Sequence, residues 1–318
     1  MSEELIFSTD SALVSNLDRL SREESIIGEQ RFLELSDIAT SLARVSAELG
    51  RDGLGIYDIL SAVSDGISFG EYPVSDLTDS SYSATASRAF SSLARLDKEI
   101  LADLYTTALE KSYKKISETD FLPGSKPKEI FAYVRNSLSD EAFDVFSQEF
   151  DDPKVKYYSS MRECARAVVD GEVGYCLLPF EEKGGVRLSS VSELIFRNDF
   201  KIDTVTPVFG QDGNADVKYA LVSKSFSVPK RNDGDDRYLE IRIGATDDFV
   251  TADLFSAVNY FGMSVYRVNT FTFDTEGESE TYFSIVIRDG ECDFTALLVY
   301  LTLFIGDFVP VGIYKNLE

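Results

Sequence analysis

The chain has 318 residues, 44% of them hydrophobic, with 31 Lys and Arg against 55 Asp and Glu and a net charge of −24. That is enough apolar material for two or three domain cores, which excludes a disordered or fibrous chain, and the charge sets nucleic acid and anionic membranes aside as partners. Histidine is absent, which excludes Ser-His, Cys-His and histidine-metal chemistry and leaves carboxylates, Lys, Tyr and hydroxyls.

The N-terminal MSEELIFSTDS is acidic and has no long apolar run, so neither a secretory signal nor a transit peptide is expected there. Residues 11 to about 118 read as helical. Leu13, Leu17, Leu20, Ile27, Leu35, Ile38, Leu42, Val45 and Leu49 recur at three- and four-residue steps, and a second long helix is expected from Leu96 to Ile116. Between them, Gly66 to Ser92 is rich in Ser, Gly, Asp and Thr and reads as a connecting loop or weak helices. The segment Phe121-Leu-Pro-Gly-Ser-Lys-Pro-Lys128 then closes the helical region as a linker.

From Glu129 strands and helices alternate: strand 130–134, helix 138–150, strand 155–159, helix 161–169, strand 173–179, helix 187–198 and strand 201–209. Such alternation predicts an α/β layer of parallel strands with right-handed crossovers. A polar stretch, Pro229 to Asp236, marks a second linker. Beyond it the pattern is βαββαβ over 237–318, a ferredoxin-like α+β unit. The three expected domains are therefore 1–122, 128–228 and 237–318.

Cys164, Cys176 and Cys292 are widely spaced, and each sits in an apolar pattern of the kind that buries a structural thiol, so neither a disulfide framework nor a metal site is expected. The most apolar run, Phe294 to Ile305, is too short to cross a bilayer, and a cytoplasmic protein without cofactor or metal is the expectation.

The stretch Gly174-Tyr-Cys-Leu-Leu-Pro-Phe-Glu-Glu-Lys-Gly-Gly185 runs a buried strand into an acidic, glycine-punctuated turn. It resembles the strand and E-N-S-x-G-G turn of prephenate dehydratases, keeping Glu181, Gly184 and Gly185 while Glu182 and Lys183 replace the amide and hydroxyl. The last eighty residues resemble an ACT domain at Val250–Ala257, Tyr260–Ser264 and Phe308–Tyr314. Arg31-Phe-Leu-Glu-Leu35, Gly53–Asp58 and Leu96–Ser112 are similar to the helices of an all-α chorismate mutase. The order mutase, dehydratase, ACT is that of the bifunctional chorismate mutase/prephenate dehydratase, the P-protein family.

The resemblance implies positions for function, and most are altered. Arg31 stands where a carboxylate-binding arginine of the mutase would be, whereas the other mutase positions fall at Leu42, Ser61-Ala62 and Ser117. The dehydratase T-R-F element matches Val217-Lys218-Tyr219, which retains a cation at Lys218 but no hydroxyl before it. The family's glycine-rich first turn is replaced by Arg135–Ser139. Thr204–Gly213 leads almost directly to the returning strand 218–222, so the second dehydratase lobe is expected to be missing. Effector-binding positions of the ACT domain correspond to Thr251, Ala252, Asp253 and Leu254 and to Asn269 and Thr270, without the family's glycine and arginine.

Glu181, Glu182, Lys183 and Lys218, with Arg31, are thus vestigial catalytic candidates. Read without the resemblance, the two glutamates terminate a strand, Lys183 pairs with them, and the glycines serve the turn. The leading expectation is a catalytically eroded P-protein relative, a homodimer acting by binding or assembly. Residual mutase or dehydratase activity is the alternative, and chorismate, prephenate, an aromatic amino acid or a pathway enzyme is the candidate partner.

Overall fold

The computed structural model describes residues 3–51, 53–69, 93–182, 184–209, 215–231, 235–245, 251–275, 278–306 and 308–317. The chain divides into two compact units, one of Met1–Leu54 with Asp58–Lys115 and one of Gly55–Tyr57 with Ile116–Glu318. Lys183 and most of the expected Ser/Gly-rich connection, 70–92, lie outside the described residues.

The first unit is helical, with α1 (Glu3–Arg51), α2 (Ile56–Phe69, from Asp58 on) and α3 (Arg95–Ser112). Among the side chains described, Leu35, Ala39, Leu42, Ala43 and Leu49 of α1 are buried, as are Ile59, Leu60 and Val63 of α2 and Leu101, Tyr105 and Leu109 of α3. α1 and α3 run side by side in one direction, for Arg31 meets Asp97 near one end and Gly50 meets Tyr113 near the other. Gly50 leaves room for the Tyr113 ring, which a Cβ there, 2.4 Å from it, would displace. α3 ends at Ser112 rather than the expected Ile116, because Tyr113 leaves helical geometry as it turns onto Gly50. In α1, residues 25–34 are exposed, including Ile26, Ile27, Phe32 and Leu33.

The second unit begins with a short helix, α4 (Glu118–Phe121), followed by β1 (Ile130–Tyr133), α5 (Ser137–Ser147), β2 (Lys154–Tyr157), α6 (Met161–Val169), β3 (Tyr175–Glu182), β4 (Val186–Arg187), α7 (Ser189–Arg197), β5 (Lys201–Phe209) and β6 (Ala215–Ser223). These strands form one sheet in the order β2-β1-β3-β6-β5, with β4 paired to β3. The four strands expected from the alternation, β1, β2, β3 and β5, run in one direction. β1 is parallel to β2 and β3, but β6 is antiparallel to both β3 and β5. Five residues, 210–214, separate β5 from β6, and a connection that short can only join antiparallel neighbours.

On one face of this sheet, Phe131, Tyr133, Tyr175, Leu177, Tyr219 and Leu221 pack with Ala142 and Phe146 of α5. On the other, Ala132, Cys176, Leu178, Phe180, Ile202 and Val205 pack with α6, α7 and a second sheet. That sheet consists of β7 (Arg237–Gly244), β8 (Ser264–Thr275), β9 (Glu278–Arg288) and β10 (Phe308–Lys315). With α8 (Thr251–Tyr260) after β7 and α9 (Thr295–Tyr300, continued as a π turn to Ile305) after β9, the order is βαββαβ. Its strands lie β10-β7-β9-β8, every pair antiparallel.

Period-two alternation gives β7 two faces. Leu239, Ile241 and Ile243 point away from the shared core, while Tyr238 joins it and Glu240 lies on its side. Edge strands β5 and β10 run side by side, joined by a parallel bridge from Val205 to Asn316 and a 2.8 Å bond from the Leu317 N–H to the Val205 carbonyl. Gly312 permits this approach, because a Cβ would sit 2.3 Å from the Ile202 carbonyl oxygen.

Arg237 is buried and holds three segments. It donates to both oxygens of Glu118 at 2.8 and 2.9 Å and to Asp289 at 2.9 Å. Glu118 also accepts the Phe294 N–H at 2.9 Å. Burial opposes the guanidinium's charge, but these carboxylates outweigh it and raise its pKa.

The cysteine expectation holds for Cys164 and Cys176, which are buried. It is corrected for Cys292, which is exposed in the bend between β9 and α9. Its apolar neighbours Phe294 and Leu297 enter the core, but the thiol precedes the helix that carries them inward.

Candidate functional site

The acidic turn is a hairpin between β3 and β4. Gly184 and Gly185 have φ of 90° and 79°, left-handed values that side chains resist, so both glycines are demanded by the backbone alone. Along β3, the pairing with β6 slips between Pro179 and Glu181, leaving Phe180 as an extra residue. Such a bulge reverses the alternation beyond it. Leu178 and Phe180 enter the core shared with the second sheet, and Glu181 turns to that side too rather than to the α5 face.

Glu181 is 5% exposed and fully engaged on one oxygen. Arg187 of β4 donates to Oε1 at 3.1 Å, and Arg267 of β8 donates to the same oxygen. Arg187 also grips Glu240 of β7 through both terminal nitrogens, at 3.0 and 2.9 Å, and stacks 3.6 Å from the centre of the Phe180 ring. Glu240 further accepts the Ser284 hydroxyl at 2.7 Å and the Tyr314 hydroxyl at 3.2 Å.

The electrostatics follow from this packing. Burial pushes the Glu240 carboxyl up, and Arg187, with the two hydroxyls, more than reverses that and holds it below the usual carboxylate range. Burial works against the Arg187 charge, but Glu240, Tyr314 and Glu181 outweigh it, so the guanidinium's pKa is raised. Burial and the adjacent Glu240 push the Tyr314 phenol well up. Each of these three shifts, of Glu240, Arg187 and Tyr314, runs away from neutral pH.

Lys218 completes the constellation, its Nζ 4.0 Å from Glu181 Oε2, an oxygen with no hydrogen-bond donor among the described residues. The space enclosed by Phe180, Glu181, Arg187, Lys218, Arg267 and Tyr314 is about 10 Å³, room for about one water. Three cations meet two carboxylates here in a site too small for a substrate-sized dianion.

The fold thus brings two of the expected residues, Glu181 and Lys218, together. Glu182 is exposed at the end of β3. Arg31 lies in the helical unit, half-exposed, and both its Nε and a terminal nitrogen are committed to the Asp97 carboxylate. Asp97 also accepts the Ala94 N–H at 2.9 Å, capping α3. Around Arg31 is an open groove of about 400 Å³ with Gln30, Glu34, Leu35 and Ile38. Thr251, Ala252, Asp253 and Leu254 form the first turn of α8, with Leu254 buried. Asn269 and Thr270 lie on β8, where the Asn269 side-chain nitrogen is buried without an acceptor among the described residues.

No family model matches the chain, and no curated protein matches it. Solved structures are similar in outline. Prephenate dehydratase from Streptococcus mutans is 12% identical, over 59% of this chain and 99% of that one, with a TM-score of 0.47. A structure described as GqqA, a novel type of quorum quenching acylase, is 16% identical over 59% and 95% of the two chains, with a TM-score of 0.43. Prephenate dehydratase from Arthrobacter aurescens in complex with L-Phe is 13% identical over 58% and 89%, also at 0.43. These likenesses assign no residue a role.

Arg187, Glu240 and Arg267 were not candidates from the sequence. Glu240 and Arg267 lie 53 residues beyond Arg187 and 86 beyond Glu181 respectively, a separation that no local pattern signals. The one available hint was a charge inside an apolar strand, Tyr238-Leu-Glu-Ile241.

Proposed function

We propose that this chain is a P-protein-like protein of aromatic amino-acid metabolism that has converted the dehydratase-like turn into an internal ion-pair cluster and acts by binding or assembly rather than by turnover. The observation that carries the proposal is the state of Glu181. The carboxylate that would face a substrate cleft in a dehydratase is 5% exposed and held by Arg187 and by Arg267 from the βαββαβ sheet. The five residues between β5 and β6 leave no length for a second lobe, and half a cleft does not exclude water from a small dianion.

The test is turnover of chorismate and prephenate by the purified chain, with thermal unfolding against both compounds and the aromatic amino acids. No turnover is expected. Prephenate turnover that is lost in Glu181→Gln would overturn the proposal.

Assembly as a homodimer belongs to the same reading, with a second copy on the exposed stretch of α1 that carries Ile26, Ile27, Phe32 and Leu33. α1 is 49 residues long, and residues 25–34 are exposed along it. Sedimentation equilibrium checks it: a dimer that Phe32→Glu with Leu33→Glu reduces to monomer is the expected result, and a wild-type monomer refutes it.

The open groove beside Arg31 favours a second reading, residual chorismate mutase activity. It requires turnover that disappears in Arg31→Ala, and turnover unaffected by that change removes Arg31 from the reaction.

A further inference from the structure

The second unit holds a larger cleft, of about 880 Å³, at the end of the sheet opposite the acidic turn. It lies where β1, β3 and β5 begin and β6 ends, on the α5 face. One wall is preformed: the linker after α4 is fastened to the segment after β6 by the Ser125 N–H donating to Ser225 Oγ at 2.5 Å. Gly124 lies so close to Phe226 that a Cβ would be 2.0 Å from its carbonyl oxygen. The facing wall is aromatic, with Phe150 and Tyr175 in edge contact at 5.1 Å.

Asp203 lines this cleft. The pairing of β5 with β6 slips between Ile202 and Thr204, which makes Asp203 the extra residue of a bulge, a device that re-aims a side chain out of the strand's alternation. Asp203 is 7% exposed, and its Oδ1 has no hydrogen-bond donor among the described residues. A buried acceptor without a donor is costly for the empty protein. The cost is recovered when something that carries N–H groups binds. No part of this feature depends on the reading of the acidic turn.

We infer that the cleft is a binding site for a small organic ammonium compound with an aromatic or similarly sized apolar body, its N–H groups donating to Asp203 and its body lying against Phe150 and Tyr175. A bulged, buried carboxylate that keeps the Ser227 hydroxyl but has one oxygen without a donor, in a roomy cleft with an aromatic wall, selects that chemistry. A carboxylate ligand of the same shape would set two anions together without a proton between them.

The experiment is isothermal titration of the full-length protein with phenethylamine and, separately, with 3-phenylpropionate, a probe of similar size and opposite charge. Saturable binding of the amine and none of the acid is expected, with affinity roughly tenfold to a hundredfold lower in Asp203→Asn. Ser125→Trp, at the exposed rim of the cleft, should block the amine without touching the carboxylate, and thermal unfolding confirms that each variant is folded. Absence of saturable amine binding, equal binding of the acid, or binding undiminished in both folded variants overturns the inference.

Discussion

Removing Arg187 tests whether the cluster at the acidic turn is a buried, mutually neutralised unit. In Arg187→Met, Glu181 keeps Arg267, but Glu240 retains only the hydroxyls of Ser284 and Tyr314. Glu240 is 4% exposed, so the variant strands a carboxylate in the interior, a loss of about 3–5 kcal/mol. For a unit of this size that is a fall in Tm of roughly 6–20 °C.

The pH dependence gives a second signature. In the wild type the Glu240 carboxyl is held below its ordinary range, so its stabilising contribution is present above the unfolded pKa and is lost as pH falls through the folded one. In the variant, burial is opposed only by the Ser284 and Tyr314 hydroxyls and raises the folded pKa above the unfolded one. The penalty then exists at neutral pH and fades on acidification. The assay is urea unfolding at pH 7 and pH 5, followed by far-ultraviolet circular dichroism because the chain has no Trp. A deficit under about 1 kcal/mol at pH 7, or one that does not shrink at pH 5, would refute the reasoning. Arg187→Met with Glu240→Met should recover most of the loss, since a buried pair replaced by apolar groups is often neutral.

Burial pushes the Asp203 carboxyl from its ordinary 3.8 up to about 6, against a smaller lowering by the Ser227 hydroxyl. A raised carboxyl costs stability above its unfolded pKa, so Asp203→Asn should stabilise the protein at pH 8 by on the order of 2–3 kcal/mol, the gain vanishing toward pH 4 in urea titrations. Gly312→Ala should cost about 1–3 kcal/mol by driving β10 from β5, and an unchanged unfolding midpoint would show that the edge contact is loose. Glu118→Ala leaves the buried Arg237 with only Asp289 and the Pro229 carbonyl and should lower stability by about 3–5 kcal/mol. Glu118→Gln, which keeps a hydrogen-bonding side chain but not the charge, should lose less in the same assay.

Local pattern made much of the architecture readable. The three- and four-residue steps around Leu35, Leu42 and Leu49 mark a real core helix, and the succession of strands and helices after residue 237 matches the observed βαββαβ order. In the middle of the chain the alternation also gave the common direction of β1, β2, β3 and β5, but not that of β6, whose antiparallel pairing follows from the short β5–β6 connection. Cys292 was misplaced for a related reason: apolar neighbours in sequence do not ensure burial where a bend intervenes.

By itself, the sequence determined the periods, the glycines at 184 and 185 that the turn's left-handed backbone requires, and the lack of a histidine for proton transfer. The tertiary structure alone decided what the charges do. Glu181 meets Arg267 across 86 positions, and Asp203 is carried into a cleft by a slip of one residue between β5 and β6. Periodicity is a short-range property of the chain, whereas the burial and partner of a charge depend on which distant strand the folded sheet lays beside it.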